Sequence, residues 1–210
     1  VGDSCLILAQ RISEWCGHAP ILEEDLALSN MALDLLGQAR GLLTHAAKLD
    51  GQGHDEDQLA FLRDERQYLN PVLMELPRGD FAFTQMRNFA VATWLLLLWQ
   101  GLEKSSDAEV AAIAGKAVKE ARYHQQHAAD WVVRLGDGTA GSASRMQAAL
   151  ASLWPYFNEL FDTDTVDTAA AAQGLGPAWS ELKPAWQAQM AEVLADAGLA
   201  CPKDSPYQSQ

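Results

Sequence analysis

Glu120, Tyr123 and His124 are the residues of this 210-residue chain whose types and spacing come closest to a metal site. Helical bundles that hold two metal ions use carboxylates from facing helices, and two of the helices also supply a Glu-x-x-His pair. The residue three positions after Glu120 is instead a tyrosine, whose phenol is a poor metal ligand unless it is deprotonated. His124 follows Glu120 by one helical turn on an apolar stripe. This spacing predicts a polar contact in the core, with a structural histidine favoured over a metal ligand.

Two further acidic positions could face the same interior. Asp34 lies at the edge of the apolar face of a long predicted helix. Glu65 belongs to the next predicted helix, and the residue three positions after it is Tyr68 where a histidine ligand would be expected. Ion pairs at the surface are the simpler interpretation of both acids. Three basic residues are close to them in sequence: Arg40, Arg63 and Arg66.

One predicted helix has no metal ligand to contribute. From Phe81 to Leu102 the sequence reads FAFTQMRNFAVATWLLLLWQGL and contains no Asp, Glu, His or Cys. Because a two-metal centre needs carboxylates from facing helices, this gap predicts a buried polar cluster instead of a working diiron pair. The segment from Trp94 to Trp99 is apolar on every side, so the helix must be covered all round. We expect a second subunit to supply part of that cover.

The elements that position these residues are predicted from the spacing of apolar residues, which is helical along almost the whole chain. The apolar stripes and the Gly, Pro and Asp breaks predict helices over residues 4–15, 21–49, 56–69, 80–103, 107–136, 142–161 and 178–199. Pro155 is expected to bend the sixth of these helices. We predict an all-α chain with one domain over residues 1–200 and a flexible polar tail over 201–210. The four helices between residues 21 and 136 form the predicted bundle, with additional N- and C-terminal helices.

Composition excludes several classes of partner. The formal charge of −13 argues against nucleic acid and against anionic membranes, which need a surplus of lysine and arginine. The longest apolar run spans about a dozen residues, short of the roughly 20 that a transmembrane helix requires. The three cysteines lack the spacing of a zinc site or a disulfide framework, and we expect each to be a small buried residue of a cytoplasmic protein. They are Cys5, Cys16 and Cys201.

Other catalytic signatures are missing from the sequence. It has no G-x-S-x-G elbow, no G-x-x-x-x-G-K-[ST] loop and no G-x-G-x-x-G after a strand, which argues against serine hydrolases, P-loop enzymes and Rossmann folds. His127 follows His124 by three residues, a spacing that could suggest a metal pair. We predict that His127 faces away from the main apolar stripe, and no companion acid is placed to complete a metal site.

Three long segments carry a resemblance to a known family. They read GDSCLILAQRISEWCGHAPILEEDLALSNMALDLLGQAR, LAFLRDERQ and AAIAGKAVKEARYHQQHAADWVVRLGDGT. They closely resemble the PaaC-type subunits of the bacterial phenylacetyl-CoA epoxidase, the ring-1,2-epoxidising monooxygenase of aerobic phenylacetate degradation. The similarity covers nearly the whole chain, although members of this family usually continue beyond the point that corresponds to residue 210. The resemblance implies a ferritin-like fold.

The resemblance also implies a division of labour. A related catalytic subunit, PaaA, would carry the diiron centre, and this chain would be its structural partner, without catalytic, cofactor-binding or metal-binding residues of its own. The small subunit PaaB and a reductase that draws electrons from NADPH would complete the system. Five positions match the diiron ligands of the catalytic relative or the residues beside them, and with His124 they are candidates for a vestigial pocket. They are Asp34, Glu65 with Tyr68, and Glu120 with Tyr123. Ala92 stands where a further acid would be expected.

Two alternatives stay open from the residues themselves. A self-sufficient ferritin-like diiron oxidase or oxygenase would need ligands that the helix over 80–103 does not contain. A homo-oligomeric helical scaffold fits the pattern of apolar residues equally well, and only the family resemblance weighs against it.

Overall fold

The structure, a computed structural model, describes residues 1–203, and these contain helices and no strand. The α-helices are α1 (Gly2–Ser13), α2 (Leu22–Asp50), α3 (Glu56–Phe61), α4 (Val72–Glu75), α5 (Phe81–Leu102), α6 (Ala108–Gly136), α7 (Ala140–Leu153), α8 (Thr165–Ala172) and α9 (Trp179–Asp196). Two 3₁₀ helices cover Glu65–Gln67 and Trp154–Phe161. The predicted all-α class is confirmed. Most of the predicted polar tail, from residue 204 onward, lies outside the described residues.

Local signals set the ends of the longest helices. The side chain of Asp80 accepts a hydrogen bond from the backbone N–H of Phe83 and begins α5. Asp107 accepts from two backbone N–H groups of the first turn of α6. At the end of α2, Gly51 has a φ of 66°, a left-handed conformation that favours glycine. These caps explain why the predicted bounds of all three helices lie within two residues of the observed ones.

The bundle is built from a different set of helices than expected. α1 packs antiparallel to α2, α5 packs on α6, and α2 joins the two pairs by contact with α6. The segment 56–69, predicted as a bundle helix, forms only the six-residue α3 followed by a 3₁₀ turn. The guanidinium of Arg63 stabilises this turn, because it donates hydrogen bonds to the Leu59 and Gln67 carbonyls and to the Asp3 carboxylate. The prediction was wrong because Phe61 and Leu62 are exposed, so this segment has no continuous buried stripe.

α5 is the central helix, and the chain itself covers it. It packs against α6, α7 and α9, and both Trp94 and Trp99 are fully buried. The indole N–H of Trp186 in α9 donates to the Ala90 carbonyl at 2.8 Å. Trp179 meets Trp94 edge-on, with ring centroids 5.1 Å apart. The expectation that a second subunit covers the Trp94–Trp99 segment is therefore wrong, since the C-terminal helices already bury it.

Two smaller expectations have different outcomes. The break at Pro155 is confirmed, because α7 ends at Leu153 and a 3₁₀ helix follows it. Of the three cysteines, Cys5 is buried as predicted, whereas Cys16 and Cys201 are exposed. These two lie in the turn after α1 and in the segment after α9, where no apolar stripe directs them inward. Within residues 1–203, no helix is both long enough and apolar enough to span a membrane.

Candidate functional site

Polar side chains link α2 to α6 along the length of the bundle, and we call these contacts the polar seam. The two helices run antiparallel, so residues late in α2 meet residues early in α6. The seam has four pairs: Glu24 with His127, Asp34 with His124, Gln38 with Glu120, and His45 with Asp107. Three of these pairs join a carboxylate to an imidazole. Carboxylate and imidazole groups are the ones in this seam that could transfer a proton or bind a metal ion.

The centre of the seam is the contact between Asp34 and His124. Nε2 of His124 lies 3.0 Å from a carboxylate oxygen of Asp34, and the histidine is only 5% exposed. Burial lowers the pKa of His124 below its usual value, and the hydrogen bond to Asp34 opposes that shift. The predicted polar contact in the core is therefore present, but its partner is Asp34 on the facing helix instead of Glu120. The side chain of Asp34 is 37% exposed, and its ion-pair partner is this histidine and not one of the arginines close to it in sequence.

Glu120 takes part in a relay that joins three helices. The side-chain amide of Gln38 donates to Glu120 at 3.0 Å, and its oxygen accepts from the Cys5 thiol at 3.6 Å. Complete burial raises the pKa of Cys5 to about 12, so this thiol keeps its proton and acts as a donor. The amine of Lys116 lies 4.0 Å from the other carboxylate oxygen and is largely exposed, so it adds little. The relay therefore fixes α1 against α2 and α6.

His127 has a companion acid that the sequence did not predict. Its Nε2 lies 3.1 Å from a carboxylate oxygen of Glu24, although the two groups are not aligned as a hydrogen bond. Glu24 is buried and His127 nearly so. The prediction that His127 faces away from the interior was wrong, since its side chain is only 13% exposed. Glu24 lies on α2, far from His127 in sequence, and shares no local pattern with it.

At the far end of the seam, His45 meets the cap of α6. Its Nε2 lies 2.8 Å from a carboxylate oxygen of Asp107. The pKa of Asp107 is lowered first by the backbone N–H of Val110 and then by the hydrogen bond with His45. The pair therefore joins the C-terminal part of α2 to the first turn of α6.

Three of the candidate site residues lie outside the seam. Glu65 is exposed in its 3₁₀ turn. The Tyr68 hydroxyl donates to the Ala60 carbonyl at 2.6 Å, and its ring stacks under the Arg63 guanidinium at 4.3 Å. Tyr123 is 53% exposed on the outer side of α6. The structure therefore does not bring Glu65 and Tyr68 together with Asp34, Glu120 and His124. Tyr123 contacts the seam only through its ring, whose centroid lies 6.2 Å from that of His124.

α5 buries two amide side chains close to Ala92, the position at which the resemblance led us to expect an acid. Ala92 is buried, and one and two helical turns before it lie the buried residues Asn88 and Gln85, on the same face of the helix. The amide atoms of both side chains have no hydrogen-bond partner among protein groups. At the start of the same helix, the ring centroid of Phe81 lies 5.0 Å from that of Trp131 in α6. The spacing of Gln85, Asn88 and Ala92 is visible in the sequence, and an interpretation centred on acids overlooked it.

Comparison with known proteins decides the family. A family model described as phenylacetic acid catabolic protein, which spans PaaA and PaaC types, matches residues 1–210. The chain belongs to the phenylacetic acid catabolic protein family. It is similar to the C subunit of 1,2-phenylacetyl-CoA epoxidase from Escherichia coli strain K12, with 47% identity over 209 residues. That match covers 100% of this chain and 84% of the relative. The resemblance and the ferritin-like, all-helical fold predicted from the sequence are thereby confirmed.

The residues of this phenylacetic acid catabolic protein do not fit a diiron centre. Within residues 1–203 no group of three or more His, Cys, Asp or Glu side chains is arranged to hold a metal ion. The acids of the seam are each engaged with a separate partner, and α5 supplies neutral amides and Ala92. Two iron ions need several carboxylates around a shared centre, and these residues do not provide one.

Proposed function

We propose that this chain is the non-catalytic, structural subunit of a phenylacetyl-CoA epoxidase of aerobic phenylacetate degradation. Its partner is a catalytic subunit of the PaaA type, which carries the diiron centre. The observation that carries the proposal is α5, a central helix of a ferritin-like bundle that offers Gln85, Asn88 and Ala92 where a metal centre needs acids. The similarity to the C subunit of such an epoxidase supports the same assignment.

The work of such a subunit is binding and positioning. Its interior is closed by aromatic packing around α5 and by the polar seam, so it can present a rigid surface to a partner. A rigid partner contributes binding energy and orientation to the catalytic subunit and supplies no reacting group. In this proposal PaaB and an NADPH-dependent reductase complete the complex, and the substrate is an aromatic acyl-CoA. We propose a cytoplasmic protein that forms one domain over residues 1–200, which agrees with its free cysteines.

The strongest rival is a self-sufficient diiron oxidase or oxygenase. It would require acids that α5 lacks. It would also not explain why the three carboxylate–imidazole pairs of the seam are separate contacts and do not surround one shared centre. The histidines of these pairs lie on two helices only, whereas a two-metal site draws ligands from four. We therefore favour the structural subunit.

Iron analysis separates the two functions. The purified chain should contain no stoichiometric iron, and the complex with its cognate catalytic subunit should contain two iron ions per heterodimer. The catalytic subunit purified alone under the same conditions is the control for loading. Coupled diiron in the isolated chain would contradict the proposal. Failure of the two subunits to associate at micromolar concentration would favour a homo-oligomeric scaffold.

A further inference from the structure

The exposed large apolar side chains of this chain are concentrated on one helix. Eleven such residues occur among residues 1–203, and six of them lie on α2 or directly before it. These six are Ile21, Leu22, Leu26, Leu33, Leu36 and Leu49. Leu22, Leu26, Leu33 and Leu36 follow a helical spacing on the side of α2 away from its buried stripe, and we call these four the α2 face. Clustering of this kind marks an interaction surface, whereas single exposed leucines do not.

A groove continues the α2 face toward α6. It has a volume of about 280 Å³ and lies between the two helices. One wall of the groove is formed by Gly37, which lies one turn after Leu33, and by Gly41. The other wall includes Ala112 and Lys116. A Cβ atom built on Gly37 would meet no other atom within 4 Å, so the groove is open at this position. A partner side chain can enter a recess of this type and act as an anchor residue.

The charge around the groove argues for an unlike partner. The chain has 28 acidic and 15 basic residues, yet the α6 wall of the groove carries Lys116, and the exposed Lys119 lies three residues further along α6. Glu120 also lines the groove, 4.0 Å from Lys116, but its side chain is 21% exposed whereas that of Lys116 is 81% exposed, so the cation is the more accessible charge. Arg40 is exposed on the α2 side, with Glu56 as its ion-pair partner. A second copy centred on this groove would bring the same lysines face to face, which costs free energy and disfavours self-association. A partner with acidic side chains beside an apolar helix stripe fits the surface.

We propose that the α2 face and its groove are the surface on which the catalytic subunit docks. The occupant is a helix of that subunit, with an apolar anchor that enters the groove at Gly37 and acidic residues that meet Lys116 and Lys119. This inference rests on the proposed function and adds to it the surface that the two subunits share. Tyr123, half exposed one turn after Lys119, extends the contact along α6.

The first test changes the α2 face and measures affinity for the cognate catalytic subunit. Leu33→Asp places a charge in the centre of the face and should weaken binding by about 30-fold or more, the effect of losing an interface hot spot. Val166→Asp in α8 is the matched control, because Val166 is 65% exposed and Leu33 is 64% exposed. The control should bind like the wild type. Equal affinities of the two variants would overturn the proposal.

The second test fills the groove without disturbing the isolated chain. Gly37→Phe places its Cβ in open space and removes a helical glycine, so the free chain should unfold at the same temperature or higher. Its affinity for the catalytic subunit should nevertheless fall by about tenfold or more, since the anchor is blocked. Lys116→Glu should weaken binding most at low salt. A Gly37→Phe variant that is stable and binds normally would contradict the docking surface.

The outcomes also separate this inference from the function it rests on. If the wild-type chain does not bind the catalytic subunit, the proposed function fails, and the docking surface fails with it. If wild type and Leu33→Asp bind equally well, only the docking surface is wrong. If the isolated chain is a dimer in light scattering and Leu33→Asp makes it monomeric, the α2 face is a contact between copies, and the proposal is overturned.

Discussion

At the scale of single residues, His124 should make the stability of the bundle depend on pH. Burial lowers its pKa below 6.5 in the folded state. As pH falls through 6.5, the unfolded chain takes up a proton that the folded chain refuses, so the free energy of unfolding decreases until the folded pKa is reached. His124→Gln should remove this decrease. Urea unfolding of both proteins at pH 7.5 and pH 5.5 measures it.

The comparison is internally controlled because the charged neighbours of His124 are present in both proteins. Asp34 faces it from α2, whereas Glu120 and His127 lie on α6 within about one turn of it; the two acids raise its pKa and His127 lowers it. If His124→Gln and the wild type lose the same free energy of unfolding between the two pH values, His124 is not the group that titrates.

Two buried glutamines should respond in opposite ways to the same substitution. Gln38 bonds to both Cys5 and Glu120, whereas the amide of Gln85 has no partner among protein groups. Gln38→Met leaves a partly buried carboxylate without its donor and should lower the free energy of unfolding by about 1–3 kcal/mol. Gln85→Met removes an unpaired buried amide and should raise it by about 1 kcal/mol. Denaturant unfolding measures both, and equal effects would contradict the hydrogen-bond assignment.

At the scale of helices, two glycines distinguish an open helix surface from a closely packed one. Gly37 faces the groove with nothing within 4 Å of a built Cβ, whereas a Cβ on Gly101 in α5 would lie 2.5 Å from a ring carbon of Pro177. Gly37→Ala should raise the free energy of unfolding by up to about 1 kcal/mol through helix propensity. Gly101→Ala should lower it by about 1–3 kcal/mol through overpacking. Urea titrations of the two variants against the wild type decide the matter, and a stabilised Gly101→Ala would show that the contact between α5 and the segment before α9 is loose.

The sequence predicts helices better than it predicts their packing, for a physical reason. Helix ends are set by local groups such as Asp80, Asp107 and Gly51, so their positions are visible in a short window of sequence. Which helices meet depends on contacts between distant residues. The sequence therefore predicted α5 as a buried helix and did not predict that α7 and α9 cover it, or that α1 replaces the segment 56–69 in the bundle.

The same distinction applies to the polar seam. Asp34, Glu120 and His124 were predicted as candidates because each lies on or beside an apolar stripe. Their partners could not be predicted, since the pairing of Asp34 with His124 depends on the register between helices 90 residues apart. Glu24 and His127 were overlooked as a pair for the same reason.

At the scale of the whole molecule, α5 explains why this bundle is suited to association. A metal-binding bundle must keep acids inside, and these acids are costly to bury without the metal. In this chain the central helix carries apolar residues, neutral amides and one buried cation, Arg87, which donates to the Leu76 carbonyl, and it carries no acid. The chain itself closes around this helix. The remaining exposed apolar surface is then concentrated on α2, at the outside of the fold.

A partner that binds only the folded chain should therefore stabilise it by mass action. With the catalytic subunit at about 100 times its dissociation constant, the free energy of unfolding of this chain should rise by about 2.7 kcal/mol. For a protein of this size each kcal/mol corresponds to about 2–4 °C, so the unfolding temperature should rise by several degrees. Hydrogen exchange followed by mass spectrometry measures this gain in stability on the peptides of this chain alone, and so separates it from unfolding of the partner. An unrelated acidic protein at the same concentration is the control, and equal protection by both proteins would mean that the gain is not due to specific association of the subunits.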